Sequence, residues 1–460
     1  MDDDGFAKRD PLLEEVSLSV ETLASLCAKA LNQAISPTEL VDRDAQDSKL
    51  LQELYIQQAI ESVRLTDLKS YAPHMTVDFR KFIEEQETAD LAPIFQHEIS
   101  VQIKGRAGES FDVYKKCPRL KYGLPVGNDA DRGYAFEAFR NYRSQLISTN
   151  QFDTDDVVLT AIGQLDTPIW RRRRTRDGYD FIAIDEAHLF NINELHVFHF
   201  FTRKIGEFPI SFAIDRPQAA GDRGWESDSS LSDTLTPDGK SESTVYSTAF
   251  RSAPDILYIA GSILASGATL FTNFDNRLLE TQSGFTVDEE RRAQPVYFRL
   301  YSNDEEMISA AFDRAAELAT LTSSRPWEIL ITTLSRDLAE ALKTFAAERN
   351  KPVTYLDKRG DFSRVSQAKK SGHFVVGHAD YVGGLEFNVV IIVGVDKGRV
   401  PNEGVSEDAD SRSFAKYVAH NRLYVAVSRA KFALEFSGIR ARGPSDLLDN
   451  ASSRGIIKIE

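Results

Sequence analysis

FIAIDEAHLF, residues Phe181–Phe190, joins a short apolar run to a pair of acidic residues. The apolar residues 181–184 are typical of a strand that is buried on both faces of a parallel sheet. Asp185 and Glu186 follow directly, and an unpaired buried carboxylate is very costly. We therefore expect both acids at the carboxyl edge of the sheet, where ligands of open α/β sheets bind.

An acidic pair in this position has a specific chemical use. Asp185 can hold a magnesium ion, and Glu186 can orient or deprotonate a water molecule. This is the arrangement known as Walker B in nucleoside triphosphatases. The structural alternative is a strand that runs into a helix, because the first turn of a helix favours acidic residues.

The composition is that of a soluble globular chain. Its 460 residues are 42% hydrophobic and 27% charged, which is ordinary for two or three domains with full cores. No run of about 18 apolar residues predicts a membrane span, and the acidic residues 1–16 lack a secretory pattern. Cys27 and Cys117 are the only cysteines. This excludes a cysteine-ligated zinc or iron–sulfur site within one chain and favours a reducing cytoplasm.

The charge pattern limits how nucleic acid could bind. A formal net charge of −15 argues against binding by the whole surface, but it is compatible with a local basic groove. Arg171–Arg174 and Arg176 form such a run just before the apolar strand. A solvated loop is favoured there over a phosphate contact. The three histidines in 188–199 are predicted to lie around one helix as core or surface residues rather than metal ligands.

Strands and helices alternate along most of the chain. Residues 1–95 are predicted to be mainly helical, with long helices at 12–31 and 47–68. His97–Lys104, HEISVQIK, alternates like a strand. Later strands are predicted at 208–214, 295–300, 327–332, 374–377, 389–395 and 433–437. Because helical patterns separate them, they indicate a parallel sheet with helices on both faces. The Gly/Ser/Asp-rich segment 221–244 is predicted to be an exposed loop near a domain boundary.

Four later stretches contain polar residues suited to ATP chemistry: DRPQ (215–218), AFRS (249–252), HADYVGGLEF (378–387) and NRLYVAVSRAK (421–431). The amide of Gln218 can sense a terminal phosphate. Arg251 and Arg429 can stabilise the charge that develops on a transferring phosphoryl group. Glu386 can accept hydrogen bonds from a ribose. Each arginine alone is more often part of a surface ion pair, so the argument depends on the joint order of the stretches.

In this order, the stretches from DEAH to SRAK resemble motifs II to VI of the UvrD/Rep-like superfamily 1 helicases, over roughly residues 95–440. The resemblance implies an α/β P-loop NTPase fold with two RecA-like domains. It also implies ATP and Mg²⁺ in the cleft between them, and 3′ to 5′ translocation along single-stranded DNA. By position, Asp185 matches the magnesium-holding acid, Glu186 the catalytic base, Gln218 the phosphate-sensing glutamine, Arg251 and Arg429 the two arginines that reach the terminal phosphate, and Glu386 the ribose-contacting glutamate.

The sequence departs from the family at the phosphate-binding loop. No Walker A loop precedes residue 181, although that loop needs a glycine-rich turn, a lysine and a serine or threonine. The only GKS, residues 239–241, lacks the glycine five residues earlier, follows no strand and comes after the acidic pair. Gly383 replaces the family's motif V lysine. Gly221 replaces an aromatic residue that stacks on a base, a role for which Trp225 is the alternative.

The sequence therefore predicts a mainly helical region at 1–95, the remainder of an incomplete first RecA-like domain at 96–245 and a complete second one at 246–460. Two functions stay open. The first is an ATP-dependent 3′–5′ DNA helicase or translocase, truncated or split and inactive alone, with the Walker A segment supplied by a protein partner. The second is an ATPase-deficient helicase-like module that binds DNA or a protein partner. Single-stranded or partly duplex DNA is the expected substrate, and no membrane is expected.

Overall fold

The computed structural model describes residues 17–32, 36, 39–41, 44–120, 122–204, 206–215, 244, 248–266, 282–402 and 409–460. Gln218 and Trp225 lie outside these residues, as do residues 221–243 of the loop predicted at 221–244, with its GKS. Roles predicted for them therefore stay predictions. Within the described residues, no helix is both long enough and apolar enough to cross a membrane.

Helices dominate the first half of the described chain, and strands alternate with helices in the second. The α-helices, numbered α1 to α18, span Leu23–Ala30, Gln46–Thr66, Leu68–Tyr71, Val77–Glu85, Thr88–Glu98, Phe111–Tyr114, Asp129–Ser148, Thr154–Leu165, Pro168–Asp177, Ile192–His196, Phe198–Phe201, Pro254–Ser266, Val287–Glu290, Asp304–Leu321, Arg336–Glu348, Phe362–Ser371, Ala409–Val427 and Asp449–Ser453. The strands, β1 to β13, span Leu40–Val41, Phe152–Asp153, Ile182–Ile184, Ile210–Phe212, Thr248–Ala249, Gln282–Ser283, Val296–Tyr301, Ile329–Thr333, Val353–Leu356, Phe374–His378, Phe387–Val393, Ala430–Ile439 and Ile457–Ile459.

The main sheet has seven parallel strands in the order β13-β7-β12-β11-β8-β10-β9. Side chains of a strand point alternately to its two faces. Each central strand therefore contributes to two hydrophobic cores, one on each face of the sheet. On β8, Leu330 belongs to the core that includes α12 and α17, whereas Ile329 and Ile331 belong to the core of α14 and α15. The prediction of a parallel sheet with helices on both faces is confirmed. A first RecA-like domain beside it stays a prediction, as do the domain boundaries.

The N-terminal helices have a separate core, which also contacts α17. Ile56, Phe79, Phe95 and Tyr142 are buried in it. Phe414 of α17 belongs to the same cluster. The helix predicted at 47–68 is confirmed as α2.

Charged contacts fix the start of α2 against the main sheet. Arg336, after β8, pairs with Glu53 at 2.7 Å. Asp380, after β10, lies 3.4 Å from Lys49. After β9, the amide of Arg359 donates to the carbonyl oxygen of Asp44 at 2.9 Å. Residues 44–53 therefore lie along the carboxyl ends of three neighbouring strands.

The strand predicted at His97–Lys104 is wrong. The segment forms a π-helix, Ile99–Lys104, that continues α5. All six residues are buried, so the alternation of apolar and polar types does not reflect alternating exposure. The polar members instead find buried partners: Ser100 Oγ donates to Asp155 at 2.9 Å, and Lys104 Nζ contacts both carboxylate oxygens of Asp153 at 2.8 Å.

The basic run and the histidine-containing segment also differ from their predictions. The arginines 171–174 and 176 lie on α9, not in a loop, because Thr167 caps that helix and Pro168 occupies its first turn. Arg174 is buried, while the other four arginines are exposed. The single helix predicted to carry the three histidines in 188–199 is two short helices, α10 and α11, and His188 lies before them in a 3₁₀ turn, Ala187–Leu189.

The buried Lys104 allows a test of the N-terminal packing. Replacement by alanine leaves the Asp153 carboxylate buried without its cation, and breaking a buried pair costs about 3–5 kcal/mol. We expect Lys104→Ala to lower the free energy of unfolding by an amount of this order in urea denaturation. The matched control is Lys81→Ala, because Lys81 is exposed and pairs with Glu85 across one helical turn. Lys81→Ala is expected to lower the free energy of unfolding by less than about 0.5 kcal/mol. Equal effects of the two variants would contradict the buried network.

Candidate active site

The acidic pair lies where a short parallel ribbon ends. Strands β3 and β4 pair in register, with Ile182 opposite Ile210 and Ile184 opposite Phe212. Asp185 and Glu186 follow β3 directly, and Asp215 follows β4 at the same carboxyl edge. The predicted position of the acids at a carboxyl edge is therefore confirmed. Glu186 has a left-handed backbone, with φ of 52° and ψ of 40°.

The predicted burial of β3 on both faces is wrong. Phe181 is 60% exposed, and Ala183 is exposed, whereas Ile184 is buried against α8 and α11. In the part of the chain that the structure describes, β4 is the sole partner of β3, and no strand pairs with the outer edge of β4. The acidic pair thus belongs to a ribbon with one covered face rather than to a broad sheet.

His188 connects the two strand ends. Its Nδ1 accepts a hydrogen bond from the amide of Asp215 at 3.0 Å, so the proton of the neutral ring is on Nε2. That Nε2 lies 2.9 Å from Glu186 Oε2. Because the imidazole is buried, both contacts hold its orientation and position the Glu186 carboxylate.

The surroundings favour the ionised form of Glu186. Burial raises its pKa, but the contact with His188 and the positive charges of Arg429 and Arg359 outweigh this effect, so the pKa is lowered. An ionised carboxylate beside an exposed Asp185 can orient a water molecule and accept its proton.

Arg429 is fully buried where β11 and β12 begin. Its Nε donates to the Val425 carbonyl at 3.1 Å, and its Nη1 donates to the Leu385 carbonyl at 3.3 Å. Burial and the neighbouring charge of Arg251 lower its pKa, while the negative charge of Glu186 acts in the opposite direction. A buried guanidinium stays charged, so Arg429 places a fixed positive charge near Glu186.

Arg251 and Glu386 bind each other at the same strand ends. Arg251 Nε donates to Glu386 Oε1 at 2.7 Å. The next residue, Ser252, donates through Oγ to the Ala430 carbonyl at 2.7 Å, which fixes Arg251 beside the start of β12. Both side chains are partly exposed, at 39% and 57%. The residues predicted to contact phosphate and ribose are thus adjacent and accessible.

A hydrogen bond joins the end of the ribbon to α17, which packs on the main sheet. Tyr424 Oη, on α17, donates to Asp215 Oδ2 at 3.2 Å. Burial and the Asp215 carboxylate raise the pKa of Tyr424 well above its usual value, so the phenol remains a donor. The structure therefore brings the carboxyl edge of β3 and β4 to the amino ends of β11 and β12.

Several residues of this site were not predicted from the sequence: His188, Asp215, Tyr424 and Phe250. Phe250 is 73% exposed beside Arg251. Its ring packs on Gly284, where a Cβ atom would lie only 2.5 Å from the ring. The Cδ1–Cε1 side of the ring thus packs against backbone, and the exposed part of the ring can stack on a planar base. In the sequence, the position of Phe250 next to Arg251 in AFRS was the signal that could have indicated its role.

The acids suit a magnesium ion that is shared with a phosphate ligand. Among the described residues, no group of three or more His, Cys, Asp or Glu side chains could hold a metal alone. Mg²⁺ commonly takes one or two protein carboxylates together with waters and substrate phosphates. The exposed Asp185 fits that role, although its Oδ1 already accepts the amide of Glu186 at 2.9 Å.

Comparisons with known proteins provide little beyond this geometry. No protein-family model matches the chain, and no curated protein matches it. One similar solved structure is the C-terminal domain of a possible DNA helicase from Lactobacillus plantarum WCFS1. It is 16% identical, with a TM-score of 0.31, and the match covers 46% of this chain and 98% of that one. A similarity of this strength carries no argument about this chain.

The electrostatic coupling between Arg429 and Glu186 can be tested directly. We expect Arg429→Gln to raise the pKa of Glu186, because the charge that stabilises the carboxylate is removed. The measurement is a ¹³C NMR titration of glutamate carboxyl groups, with Glu186→Gln used for assignment. Arg440→Gln is the control, since Arg440 is exposed and its charge acts on Glu306 instead. An unchanged Glu186 titration in Arg429→Gln would contradict the arrangement.

Proposed function

We propose that this chain is the ATP-hydrolysing part of a UvrD/Rep-like DNA helicase or translocase. The observation that carries the proposal is that Arg429, which lies near Arg251, places its charge near Glu186, the neighbour of Asp185. Carboxylates on one side and guanidinium groups on the other suit a magnesium-bound triphosphate between them.

Each residue has a separate task in this proposal. Asp185 holds the magnesium ion, whose charge neutralises the phosphate oxygens. Glu186, kept ionised and oriented by His188, accepts the proton of the attacking water. Arg429 and Arg251 stabilise the charge on the transferring phosphoryl group. Glu386 binds the ribose once Arg251 has turned from it to the phosphate.

The proposed site lacks a phosphate cradle among the described residues. Phosphoryl transfer depends on positioning and electrostatics, so the chain alone is expected to hydrolyse ATP slowly. We propose that a protein partner supplies the Walker A segment. Among the described residues, no strand pairs with the outer edge of β4, and an incoming strand can add there. The DNA substrate and the 3′–5′ direction rest on the resemblance of the motifs.

A second candidate is a helicase-like module that binds DNA or a protein without turnover. The Arg251–Glu386 ion pair favours it, because the pair engages two of the proposed nucleotide-binding groups with each other. Under this candidate, the ion pair is a permanent structural contact. ATP hydrolysis that requires Glu186 would exclude it.

ATP hydrolysis by the purified chain, with and without single-stranded DNA, tests the proposed function. We expect a low rate that Glu186→Gln reduces by at least about a hundredfold, the usual contribution of a positioned general base. The isosteric control is Glu305→Gln on the exposed face of α14, which should keep the wild-type rate. Equal rates for wild type and Glu186→Gln would contradict the role of Glu186.

Phe250 provides a second test that does not require turnover. Stacking of one base on an aromatic ring contributes about 1–3 kcal/mol. We expect Phe250→Ala to weaken binding of a fluorescent ATP analogue about tenfold or more. The matched control is Phe181→Ala, an exposed phenylalanine at the opposite end of β3. If both variants bind as the wild type does, Phe250 does not contact the base.

A further inference from the structure

The arginines of α9 form a strongly basic group that the proposed mechanism does not use. One side of this helix is fixed against the segment that follows α11. Trp170 Nε1 donates to the Phe200 carbonyl oxygen at 2.8 Å, and the buried Arg174 donates through Nε to the Thr202 carbonyl oxygen. These contacts set the rotation of α9 about its own axis, so the remaining arginines are held in defined positions.

The opposite side of α9 carries Ile169, Arg172, Arg173 and Arg176, which we call the outer stripe. Their spacing of i, i+3, i+4 and i+7 places them on one face of a helix, and all four are exposed. Arg172 and Arg176 are separated by about 6 Å along the axis, at a rise of about 1.5 Å per residue. The outer stripe therefore presents three guanidinium groups close together, and it contains no aromatic residue.

The stability of the helix does not account for this many arginines. The helix macrodipole favours acids in the first turn and cations in the last turn. However, α9 has no acidic residue in its first turn, and Arg171 and Arg172 lie in its first half. Arg173 precedes its ion-pair partner Asp177 by four residues, which is the weaker order for such a pair. The arrangement is therefore better explained by an anionic ligand than by helix formation.

The charge of the outer stripe is only partly neutralised. Asp177 is shared by Arg173 and Arg176, at 2.8 and 2.6 Å. The side chain of Arg172 has no ion pair or hydrogen bond among the described residues. Exposed ion pairs such as those of Asp177 are weak and are readily exchanged. Three arginines thus share one carboxylate, and their guanidinium groups are accessible to another anion.

The chemistry of the outer stripe fits the backbone of a nucleic-acid duplex. Duplex DNA carries one phosphate charge per about 1.7 Å of its axis, so three or so phosphates fall within the span of the stripe. Guanidinium groups bind phosphate oxygens through paired N–H donors. Single strands are instead commonly held by aromatic rings that stack on the bases, and the stripe has none. A formal net charge of −15 repels DNA from most of the remaining surface.

We propose that the outer stripe of α9 binds the phosphate backbone of duplex DNA without reading its sequence. This inference goes beyond the proposed function, because the contact lies outside the ATP site. Helix α9 precedes the amino end of β3, whereas Asp185 follows the carboxyl end of that strand. The ATP site and the duplex contact are therefore at different ends of the ribbon.

Binding of a short fluorescein-labelled DNA duplex to the full chain, measured by anisotropy over a range of salt concentrations, tests the proposal. The variant is Arg172→Gln/Arg173→Gln/Arg176→Gln. We expect its affinity at low salt to fall at least about tenfold, because phosphate contacts and counterion release are lost. The slope of log K against log salt should become shallower by about 2–3, close to 0.9 for each lost phosphate contact. Two duplexes of unrelated sequence should give the same result.

A matched control separates position from net charge. Arg80→Gln/Arg291→Gln/Arg349→Gln removes the same number of charges at three exposed arginines from separate parts of the chain, and should bind as the wild type does. Replacement of the three stripe arginines by lysine should keep the salt dependence, because the charges remain. Urea denaturation of each variant shows that a binding change does not follow from a loss of stability.

Several outcomes would overturn the proposal. These are wild-type protein that does not bind the duplex, equal binding by wild type and the stripe variant, and an equal loss in the stripe variant and its control. A loss for a single-stranded oligonucleotide but not for the duplex would also contradict it. If poly-L-glutamate binds through the same arginines and the duplex does not, the stripe serves an acidic protein and the proposal is wrong. None of these measurements involves ATP, so they leave the test of the proposed function independent.

Discussion

Parallel pairing of the seven central strands is the constraint on which the rest of the structure depends. A parallel strand cannot return through a tight turn, so each connection must cross a face of the sheet. These crossings cover both faces with helices and bury β8 and β11 completely or nearly so. They also bring the starts of β11 and β12 together at one end. Glu386 and Arg429 precede these two strands, and the sheet therefore places them side by side.

Burial makes the charges of the candidate site effective. Arg429 has no exposed surface, and backbone carbonyls hold its guanidinium. In such surroundings a charge acts more strongly on its neighbours than in water. The lowered pKa of Glu186, despite its burial, is the measurable consequence. Arg251 and Arg429 would repel each other less with an anionic ligand between them. This is why a phosphate ligand suits the two arginines.

The N-terminal helices are part of this arrangement and not an appendage. Glu53 and Lys49 bind charged residues at the carboxyl ends of β8 and β10, and Asp44 holds the loop after β9. In parallel sheets this edge is where ligands usually bind. Here the chain covers part of it with its own residues, while Arg251 and Glu386 lie exposed at the opposite ends of β11 and β12. Residues 44–53 also hold the backbone of Arg359 at this edge.

Local patterns in the sequence determined several strands, a long helix and the position of the acidic pair. The continuous apolar runs at β8 and β11 specify buried parallel strands by themselves, and the helix spacing at α2 specifies a helix near its observed bounds. Asp185 and Glu186 could be placed at a strand end because acids cannot continue a buried strand.

Only the tertiary structure decided the remaining points. HEISVQIK alternates in residue type but becomes a π-helix, because Asp153 and Asp155 supply partners for its polar side chains. His188 and Tyr424 join the site through contacts between distant segments. No local pattern encodes such contacts, because they depend on how the sheet, the ribbon and the N-terminal helices pack.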